Sequence, residues 1–516
     1  MADEYEKYAW KEREPGVWSR ACDEAEIMYA TVAKVWAGTG RKFFYMTGHV
    51  RLDITSYSSH EVDTALTKAW LALRYHHPTF AAQVVLDSTT MTFDKVYREE
   101  VGDWVQRTLV HVEDGQTGKE FSNSDPPAPD EATLFVTHPR KEEGVEEGAV
   151  IRRDLVFRSP HDIIDGVGTL QLFNKLASLI ADALSNGSGW AAPKPDGSET
   201  KKLSPPFRVA ANVPKQPSAG VQQRITDMAA LATTPPPKVE VIGLPLIGED
   251  NNAVVPGKHQ RVDLTMGTDA TQRLMTKAKE MGVTPTHLFH AAIAVVLRNM
   301  QERRDSARLV QYWSYTLVND RPGCVAPYDG PEYADAVYHS VSGERLTVEM
   351  EVPAKSNSND GDSSATKDDK GLFLRVTEQM RAFYQAVKDD KDHYAVAPYI
   401  ATNATPALPP AHLLQPGGPT PPVPPPKKLP SVSISSLGRL DGVVAARQGG
   451  DVEVRDPWVT GEELGNGVGV FLGTHRGEMS LSAAYNDAWR GREEVLGYLG
   501  RCVGIVGEAL DLDLLV

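Results

Sequence analysis

The ten residues "SPHDIIDGVG", 159 to 168, decide how this chain is interpreted. They contain His161, Asp165 and Gly166 in the spacing H-x-x-x-D-G. The preceding run "GAVIRRDLVFRSPHD" alternates as a strand does up to Phe157, and the following "VGTLQLFNKLASLIADAL" repeats its apolar residues at helical spacing. The motif therefore lies on a strand-to-helix connection, where two rigid elements hold functional side chains in place.

His161 is the residue of this motif that can carry chemistry. A neutral imidazole takes a proton from a hydroxyl or an amine near pH 7, because its pKa lies close to that pH. Asp165 can hold the loop by pairing with an arginine elsewhere, and Gly166, which has no Cβ, lets a substrate approach the backbone. A turn that merely contains a hydrogen-bonded histidine is the alternative, and the motif alone leaves both interpretations open.

Composition excludes several classes of function. The 516 residues carry a formal net charge of −15, which argues against nucleic acid and against anionic membrane surfaces as partners. The three cysteines, Cys22, Cys324 and Cys502, lie far apart and favour a reducing compartment without disulfides. The sequence has no apolar run long enough to span a bilayer and no signal peptide at its start, so we expect a cytoplasmic protein.

The length predicts two domains around a cleft. We place a first lobe at 1–187, a crossover at 188–255 and a second lobe at 256–516, with disordered-looking inserts near 353–371 and 405–430. The clearest early helix is predicted over 58–78, with Ser59 as its cap and Pro78 as its end.

Other histidines are weaker candidates for a site. His76, His77, His287 and His290 could be imagined as metal ligands, but no glutamate or third ligand stands beside them in sequence. Packing is the favoured interpretation, and we expect no metal. The sequence also has no G-x-S-x-G elbow of the kind that serine hydrolases carry.

Several segments, in order, resemble the chloramphenicol acetyltransferase-like superfamily, which includes plant BAHD acyltransferases, fungal acetyltransferases and the condensation domains of peptide synthetases. The segments are "AWLALRYHHPTFAAQV", "SPHDIIDGVGTLQLFNKL", "GVTPTHLFHAAIAVVL" and "YTLVNDRPG", with "SSLGRLDG" and "EMSLSAAYN" near the end. The resemblance covers residues 15 to 511 in scattered pieces and is strongest to freestanding fungal acetyltransferases of the trichothecene type.

This resemblance implies an α/β fold of two lobes, each with a mixed sheet flanked by helices, that meet at an active-site tunnel. It implies that His161 deprotonates a hydroxyl of a small hydrophobic acceptor, which then attacks acetyl-CoA or another acyl-CoA directly. The CoA ester is a co-substrate, and no bound cofactor is expected. Ser435 and Ser436 are the candidates for stabilising the oxyanion. Arg321 or Arg439 is expected to pair with Asp165, and the enzyme is expected to be a monomer.

Two departures qualify the resemblance. Pro160 stands where condensation domains have the first histidine of HHxxxDG, and the plant-type D-F-G-W-G motif is absent. Pro160, together with the absence of a carrier-protein or adenylation segment, favours a freestanding CoA-using enzyme, whereas the missing D-F-G-W-G motif weakens the plant assignment. The leading hypothesis is an acetyltransferase that acylates a fungal-type secondary metabolite such as a terpenoid. Two alternatives stay open: a condensation-like or CoA-independent cyclising enzyme on the same scaffold, and a non-catalytic binding protein.

Overall fold

The computed structural model describes residues 4–140, 150–232, 239–245, 255–355, 369–415 and 418–515. Its α-helices are α1 Glu24–Val35, α2 Ser59–His76, α3 Trp104–Thr108, α4 Gly118–Asn123, α5 Gly166–Asn186, α6 Phe207–Ala210, α7 Ala219–Ala232, α8 Thr268–Glu280, α9 Pro285–Asn299, α10 Asp369–Asp389, α11 His393–Ala404, α12 Ala411–Leu414 and α13 Arg492–Leu510. Short 3-10 helices lie at Glu4–Tyr8, Ala37–Thr39, Pro78–Ala81, Gly187–Gly189, Ser198–Lys202, Arg321–Gly323, Pro331–Tyr333 and Leu440–Gly442.

The strands divide among five sheets. They are β1 Lys11–Glu14, β2 Val17–Ala21, β3 Met46–Ile54, β4 Gln83–Asp87, β5 Thr92–Arg98, β6 Leu109–Val112, β7 Thr133–Thr137, β8 Ile151–Ser159, β9 Glu240–Ile242, β10 His259–Met266, β11 Arg308–Ser314, β12 Leu317–Asn319, β13 His339–Val341, β14 Leu346–Val352, β15 Val432–Arg439, β16 Arg447–Gln448, β17 Val452–Gly461, β18 Val468–His475 and β19 Glu478–Asn486. The sheet orders are β16-β17-β3-β8-β7-β6, β10-β19-β18-β15, β14-β11-β9, β1-β2-β5-β4 and β12-β13.

The first lobe is the six-stranded sheet with α2 and α5 packed against it. Strand β8 is buried from Arg153 to Ser159 and runs antiparallel to both β3 and β7. Helix α5 follows directly and buries one long face against α2, β3 and β17. This β8–α5 connection carries the motif, as the sequence predicts, and the surrounding core holds it rigidly.

The second lobe contains the β10-β19-β18-β15 and β14-β11-β9 sheets, with α9, α10 and α13. Helix α9 is buried continuously from Leu288 to Arg298, as expected of a helix covered on every side. Pro285 occupies its first turn, where the missing N–H costs nothing. These elements share a second large hydrophobic core.

Strand β17 ties the two lobes together. It comes late in the chain, yet it pairs antiparallel with β3 of the first lobe, and β16 extends the same sheet. Residues 447–461, which chain order places in a second lobe at 256–516, therefore complete the sheet of the first lobe. Val459 pairs with Gly48 in this crossover.

The remaining segments differ from their sequence-based description in detail. Helix α2 is capped by Ser58 rather than Ser59. The Ser58 hydroxyl accepts a hydrogen bond from the Glu61 amide, and the Glu61 carboxylate accepts one from the Ser58 amide. The crossover at 188–255 contains α6, α7 and β9, and β9 pairs with β11.

The two inserts that look disordered in sequence also contain regular structure. Within 353–371, residues 356–368 lie outside the described residues and α10 begins at Asp369. The Pro-rich stretch at 405–430 includes α12, and the Pro430 carbonyl accepts a hydrogen bond from the Leu244 amide.

The three cysteines are free thiols buried in the interior. Burial raises the pKa of Cys324 and of Cys502 to about 12, so both thiols stay protonated. In the described ranges, no helix combines the length and apolarity that crossing a membrane requires.

Candidate active site

His161 lies in the turn between β8 and α5, partly buried between two aromatic rings. The Tyr29 ring stacks on the imidazole with centroids 3.8 Å apart and planes 13° apart. The His339 ring lies 5.2 Å away at 27°. Tyr29 comes from α1 and His339 from β13, so elements distant in sequence enclose the motif histidine.

The environment of His161 favours its neutral form. Burial, together with the nearby His339 ring, lowers the pKa of His161 to about 3, against the smaller raising effects of Asp165 and of backbone carbonyls. Its Nδ1 is buried, and the backbone of His161 and of Ile164 lies beside the ring, where hydrogen bonding partly offsets the lowering of the pKa. Because Nδ1 is enclosed, Nε2 is the nitrogen available to an incoming group, and the imidazole is in the state that accepts a proton.

Asp165 is a structural anchor with four hydrogen bonds. It is the N-cap of α5, where it accepts from the Gly168 amide at 2.8 Å, so the Asp-Gly order does mark a helix start. It also accepts from Arg321 Nη1 at 2.9 and 2.8 Å and from the Tyr338 amide at 2.8 Å. Burial alone would raise the pKa of Asp165, but the Arg321 guanidinium lowers it below its usual value. The carboxylate is ionised and ties α5 to the segment around Arg321.

Of the two arginines offered as partners of Asp165, Arg321 occupies that position. Its side chain is 3% exposed, and its Nη2 also donates to the Ala334 carbonyl at 3.2 Å. Arg439 lies at the outer end of β15 with 84% of its side chain exposed, 3.8 Å from Asp441. The expectation for Arg439 is therefore wrong, because that end of the strand points into solvent.

The glycines after the motif aspartate serve packing. A Cβ on Gly166 would lie 3.1 Å from Val459 Cγ2, so β17 occupies the space that the sequence suggests for a substrate. A Cβ on Gly168 would overlap the carbonyl oxygen of Ala334 and approach Arg321 Nη2 to 2.9 Å. Gly168, which the sequence analysis did not single out, is the position where the absence of a side chain is essential.

The two candidate oxyanion serines lie on opposite faces of β15. Ser436 is on the core side, where its hydroxyl lies 2.8 Å from the Thr286 hydroxyl of α9. Ser435 shares its face with Ser433, whose side chain hydrogen-bonds Tyr315. Both serines are half-buried, and the role of each as an oxyanion donor stays a prediction.

A cavity of about 600 Å³ lies between strands of the two lobes. Although the chain is acidic overall, six cationic and three acidic side chains line it: Arg51, Lys119, Arg152, Arg261, Arg455 and Arg476, with Asp154, Asp456 and Glu478. Val459 lines this cavity and also packs against Gly166, so the cavity reaches the residues next to the motif. All six cations also pair with carboxylates, so an anionic ligand would share them with these partners.

A much smaller apolar cavity, of about 70 Å³, lies on the α1 side of the site. Tyr29 and His339 line it together with Phe207, Ala397 and Ile400. Two residues that enclose His161 therefore also form part of an apolar slot between α1 and α11.

Among the four histidines considered as metal ligands in the sequence, His290 has the clearest packing role. His290 is fully buried between the hydroxyls of Tyr384 and Tyr312, each at 3.1 Å. A different group, Asp63, His111 and His138, has ligand atoms within 4.8 Å of one another. These atoms already have partners, because His111 Nδ1 lies 2.9 Å from His138 Nε2 and Arg153 donates to both Asp63 oxygens.

Sequence reasoning missed Tyr29 and His339, the two rings next to His161. Tyr29 stands in an ordinary amphipathic helix, and His339 follows a loop that the sequence analysis did not interpret. Neither position carries a motif or a spacing that singles it out in the sequence, and the link from Tyr338 to Asp165 is visible only in the fold.

Comparison with known proteins agrees with this architecture. No protein-family model matches the chain. Acetyltransferase pigO of Monascus ruber is 22% identical over 483 residues, 93% of each chain. Trichothecene 15-O-acetyltransferase from Fusarium sporotrichioides superposes with a TM-score of 0.75 at 16% identity, over 98% of both chains. The condensation domain of the monacolin K polyketide synthase MokA gives 0.57 at 11%, over 96% of this chain and 98% of that one. The predicted two-lobed α/β fold is confirmed.

Proposed function

We propose that the chain is an acyltransferase of the chloramphenicol acetyltransferase-like superfamily and that it transfers the acetyl group of acetyl-CoA to a hydroxyl of a small hydrophobic secondary metabolite. The observation that carries the proposal is His161 at the β8–α5 turn. Burial favours its neutral form, and Asp165 of the same motif is held by Arg321. We also propose that the enzyme acts as a monomer in the cytoplasm.

The reaction follows from this arrangement. His161 Nε2 accepts the proton of the acceptor hydroxyl while its oxygen attacks the thioester carbon. The tetrahedral oxyanion is stabilised by hydrogen-bond donors, for which Ser435 is the candidate. The C–S bond then breaks, and the proton on His161 passes to the CoA thiolate, which regenerates the base. The Asp165 carboxylate is held by Arg321, so it stabilises the transient imidazolium without itself accepting the proton.

The cationic cavity supports CoA as the carrier of the acyl group. CoA phosphates are strongly anionic, and arginine forks bind phosphate oxygens in pairs. Three cavity cations have substantially exposed side chains: Arg455 at 44%, Lys119 at 39% and Arg476 at 32%. Arg455 is held by Asp53 at 3.0 Å and by Glu453 at 2.5 Å, which leaves Lys119 and Arg476 as the two charges to remove. They are therefore able to meet a ligand that enters from solvent.

Removing these two charges tests the donor site. We expect the double variant Lys119→Gln, Arg476→Gln to bind CoA about 10-fold more weakly, because each partly exposed ion pair with phosphate is worth up to about 1 kcal/mol. The dissociation constant is measured by calorimetry at two salt concentrations, and the variant is expected to show the weaker salt dependence.

Lys277→Gln on α8 is the matched control, because Lys277 is an exposed lysine that pairs with Glu280 and does not line the cavity. Equal CoA affinity in the double variant and in the control would place the phosphates elsewhere.

The apolar slot supports a hydrophobic acceptor. Its lining is mostly apolar, with Phe207, Ala397 and Ile400 beside the polar Asp23, Glu24 and Ser340, and it reaches Tyr29 and His339 next to the base. The similarity to a trichothecene acetyltransferase makes a fungal-type terpenoid the first acceptor to test.

A condensation-like or CoA-independent reaction is the second candidate, because condensation domains share the fold. A binding protein without catalysis is the third. The intact set of a neutral His161 and a paired Asp165 favours catalysis over simple binding.

The deciding experiment is mass spectrometry of the purified protein with acetyl-CoA and a panel of hydroxylated terpenoids and polyketides. We expect an acetylated product and an equimolar amount of free CoA. Product formation that continues after acetyl-CoA is omitted would support the CoA-independent alternative. A folded protein that binds CoA and transfers nothing from acetyl-, malonyl- or longer acyl-CoA to the whole panel would contradict the proposal.

A further inference from the structure

An exposed row of side chains runs from the end of β11 along β12. Tyr315 is 42% exposed and Leu317 is 40% exposed, and they alternate with the buried Ser314 and Thr316. Asn319, two residues further along, is exposed as well. Successive residues of an extended chain point to opposite faces, so Tyr315, Leu317 and Asn319 lie on one face.

This exposed row shares its face with His339. Strand β12 pairs antiparallel with β13, where Asn319 lies opposite His339 and Leu317 lies opposite Val341. Directly opposed residues of two antiparallel strands project to the same side of the sheet. The ring of His339 stacks 5.2 Å from that of His161, and Val341 lines the apolar slot. The exposed row therefore borders the space in front of His161 and continues the wall of the slot.

The row ends at a group of polar side chains. Tyr315 hydrogen-bonds the side chain of Ser433 on β15, and burial together with the nearby Glu463 carboxylate raises the pKa of Tyr315. A side chain that is both 42% exposed and subject to such burial borders an enclosed space rather than bulk solvent. Tyr315 also adds to the effect of burial in raising the pKa of Tyr29, whose ring stacks on His161. The Tyr315 phenol thus lies near both Glu463 and the motif.

Glu463 is held in place by its own backbone and by one carboxylate oxygen. Its amide donates to His259 Nδ1 at 2.9 Å, and its carbonyl accepts from Asn486 Nδ2 at 3.2 Å. Its Oε1 accepts from the Gly465 amide at 2.7 Å. Within the described part of the chain no hydrogen bond is made to Oε2, and the side chain is half-buried. Oε2 is therefore able to accept a hydrogen bond from a ligand.

A chain of backbone and ring contacts also links Glu463 to the motif end of the first sheet. The carbonyl of its neighbour Glu462 accepts from the Phe44 amide at 3.1 Å. The Phe44 ring packs edge-on against Tyr29, with centroids 6.3 Å apart and planes at 89°. Tyr29 in turn stacks on His161. The carboxylate and the proposed base are thus fixed to the same end of one rigid sheet.

We propose that Glu463, with Tyr315 beside it, binds a second hydroxyl of the acceptor while His161 deprotonates the first. The proposal rests on the proposed acyl transfer, and it narrows the acceptor to a diol or polyol with an apolar segment between two hydroxyls. Glu463 Oε2 accepts the hydrogen bond of the second hydroxyl, and Leu317 contacts the apolar segment. Because both groups are fixed, binding of one hydroxyl selects which other hydroxyl is acylated.

A neutral hydroxyl fits this position better than an ammonium group. Burial raises the pKa of Glu463, against the lowering effects of the Gly465 amide and of the Lys427 ammonium. Lys427 is itself placed by two hydrogen bonds between its backbone and Asn466, at 3.0 and 2.8 Å. The carboxylate therefore already has a cation nearby, and the ligand needs to supply only a hydrogen-bond donor.

The test compares straight-chain alcohols, from butanol to decanol, with the α,ω-diols of the same length. A diol has two equivalent ends, so statistics alone favour it about twofold over the alcohol. We expect one preferred length at which the diol binds the unmodified protein about 10-fold more tightly than the alcohol, because a hydrogen bond to a charged group is gained. Dissociation constants come from ligand-detected NMR titrations, which need no turnover, and kcat/KM for acetylation is the second readout.

Three variants identify the group that recognises the diol. Glu463→Met keeps the length of the side chain and removes its accepting oxygens, so the preference should fall to the statistical factor of about 2 while the affinity for the alcohol is unchanged. Glu463→Gln keeps one accepting oxygen and should retain an intermediate preference. Tyr315→Phe removes the neighbouring hydroxyl and should weaken the preference about 3-fold.

Glu349→Met is the matched control, because Glu349 is an exposed glutamate on β14 that accepts a hydrogen bond from Gln311 at 2.8 Å. It should leave the diol preference unchanged.

Three results would overturn the proposal. The first is no diol preference above the statistical factor at any length in the unmodified protein, including no diol binding at all. The second is a preference that persists in folded Glu463→Met. The third is tighter binding of an amino alcohol than of the diol of the same length, since the site would then take a cation.

The two readouts also separate this proposal from the proposed function. A binding preference that depends on Glu463, without acetylated product, would support the hydroxyl site and contradict acyl transfer. Acetylation of alcohols and diols with no preference above the statistical factor would support acyl transfer and contradict the hydroxyl site.

Discussion

Replacement of His161 by alanine is expected to lower kcat for acyl transfer by about 10²- to 10⁴-fold, the usual contribution of a general base. The KM for acetyl-CoA should change little, because the cationic cavity that we assign to CoA does not include this imidazole. The fold should persist, since His161 is only partly buried and lies in a turn whose geometry is set by Asp165. Product is quantified by mass spectrometry, and folding by circular dichroism.

The control for this variant is His60→Ala, which removes an exposed imidazole at the start of α2 and should leave kcat unchanged. A His161→Ala protein that is folded and turns over at a near-normal rate would mean that another group deprotonates the acceptor. The bonded His339–Tyr29 pair would then be the next base to test.

The strand–turn–helix structure around the motif is predicted correctly from the sequence, because it depends on residues that are close together in the chain. Strand β8, the turn and α5 are consecutive, and each has its own periodicity. The role of Asp165 as a helix cap is not predicted, because the motif suggests an arginine partner for the carboxylate and not the Gly168 amide from which it also accepts.

Contacts between distant segments are harder to predict. Arg321 and Arg439 are equally plausible partners of Asp165 in sequence, and only the fold shows that one is buried beside it and the other is in solvent. Tyr29 and His339 are 310 positions apart, and no periodicity connects them. Strand β17 is similar: its alternation marks a strand, but pairing with β3 of the first lobe is decided by packing across the whole molecule.

The support that surrounds His161 thus depends on one buried ion pair. Asp165 caps α5, orients the strand that carries His339 through the Tyr338 amide, and is neutralised by Arg321. Removing one partner of a buried pair is costly because the other charge stays buried without compensation. This makes Arg321 the residue whose loss should affect stability most.

We expect Arg321→Ala to lower the free energy of unfolding by about 3–5 kcal/mol, the range for breaking a buried ion pair. Asp165 is 2% exposed, so its carboxylate would lose the guanidinium that holds its pKa down while burial continues to raise it. The measurement is the first urea-induced transition at pH 7, with CoA absent. Because the lost stability depends on an ionised Asp165, the deficit should shrink as the pH falls and the carboxyl becomes protonated.

Adding Asp165→Asn to Arg321→Ala should recover part of this loss, because an amide can still accept from the Gly168 and Tyr338 amides without carrying a buried charge. Arg439→Ala is the matched control: its guanidinium is 84% exposed, and its removal should change stability by less than about 0.5 kcal/mol. Equal stability of the Arg321 and Arg439 variants would show that Asp165 finds another counter-charge when Arg321 is lost, and the two lobes would then have to be held at the motif by packing alone.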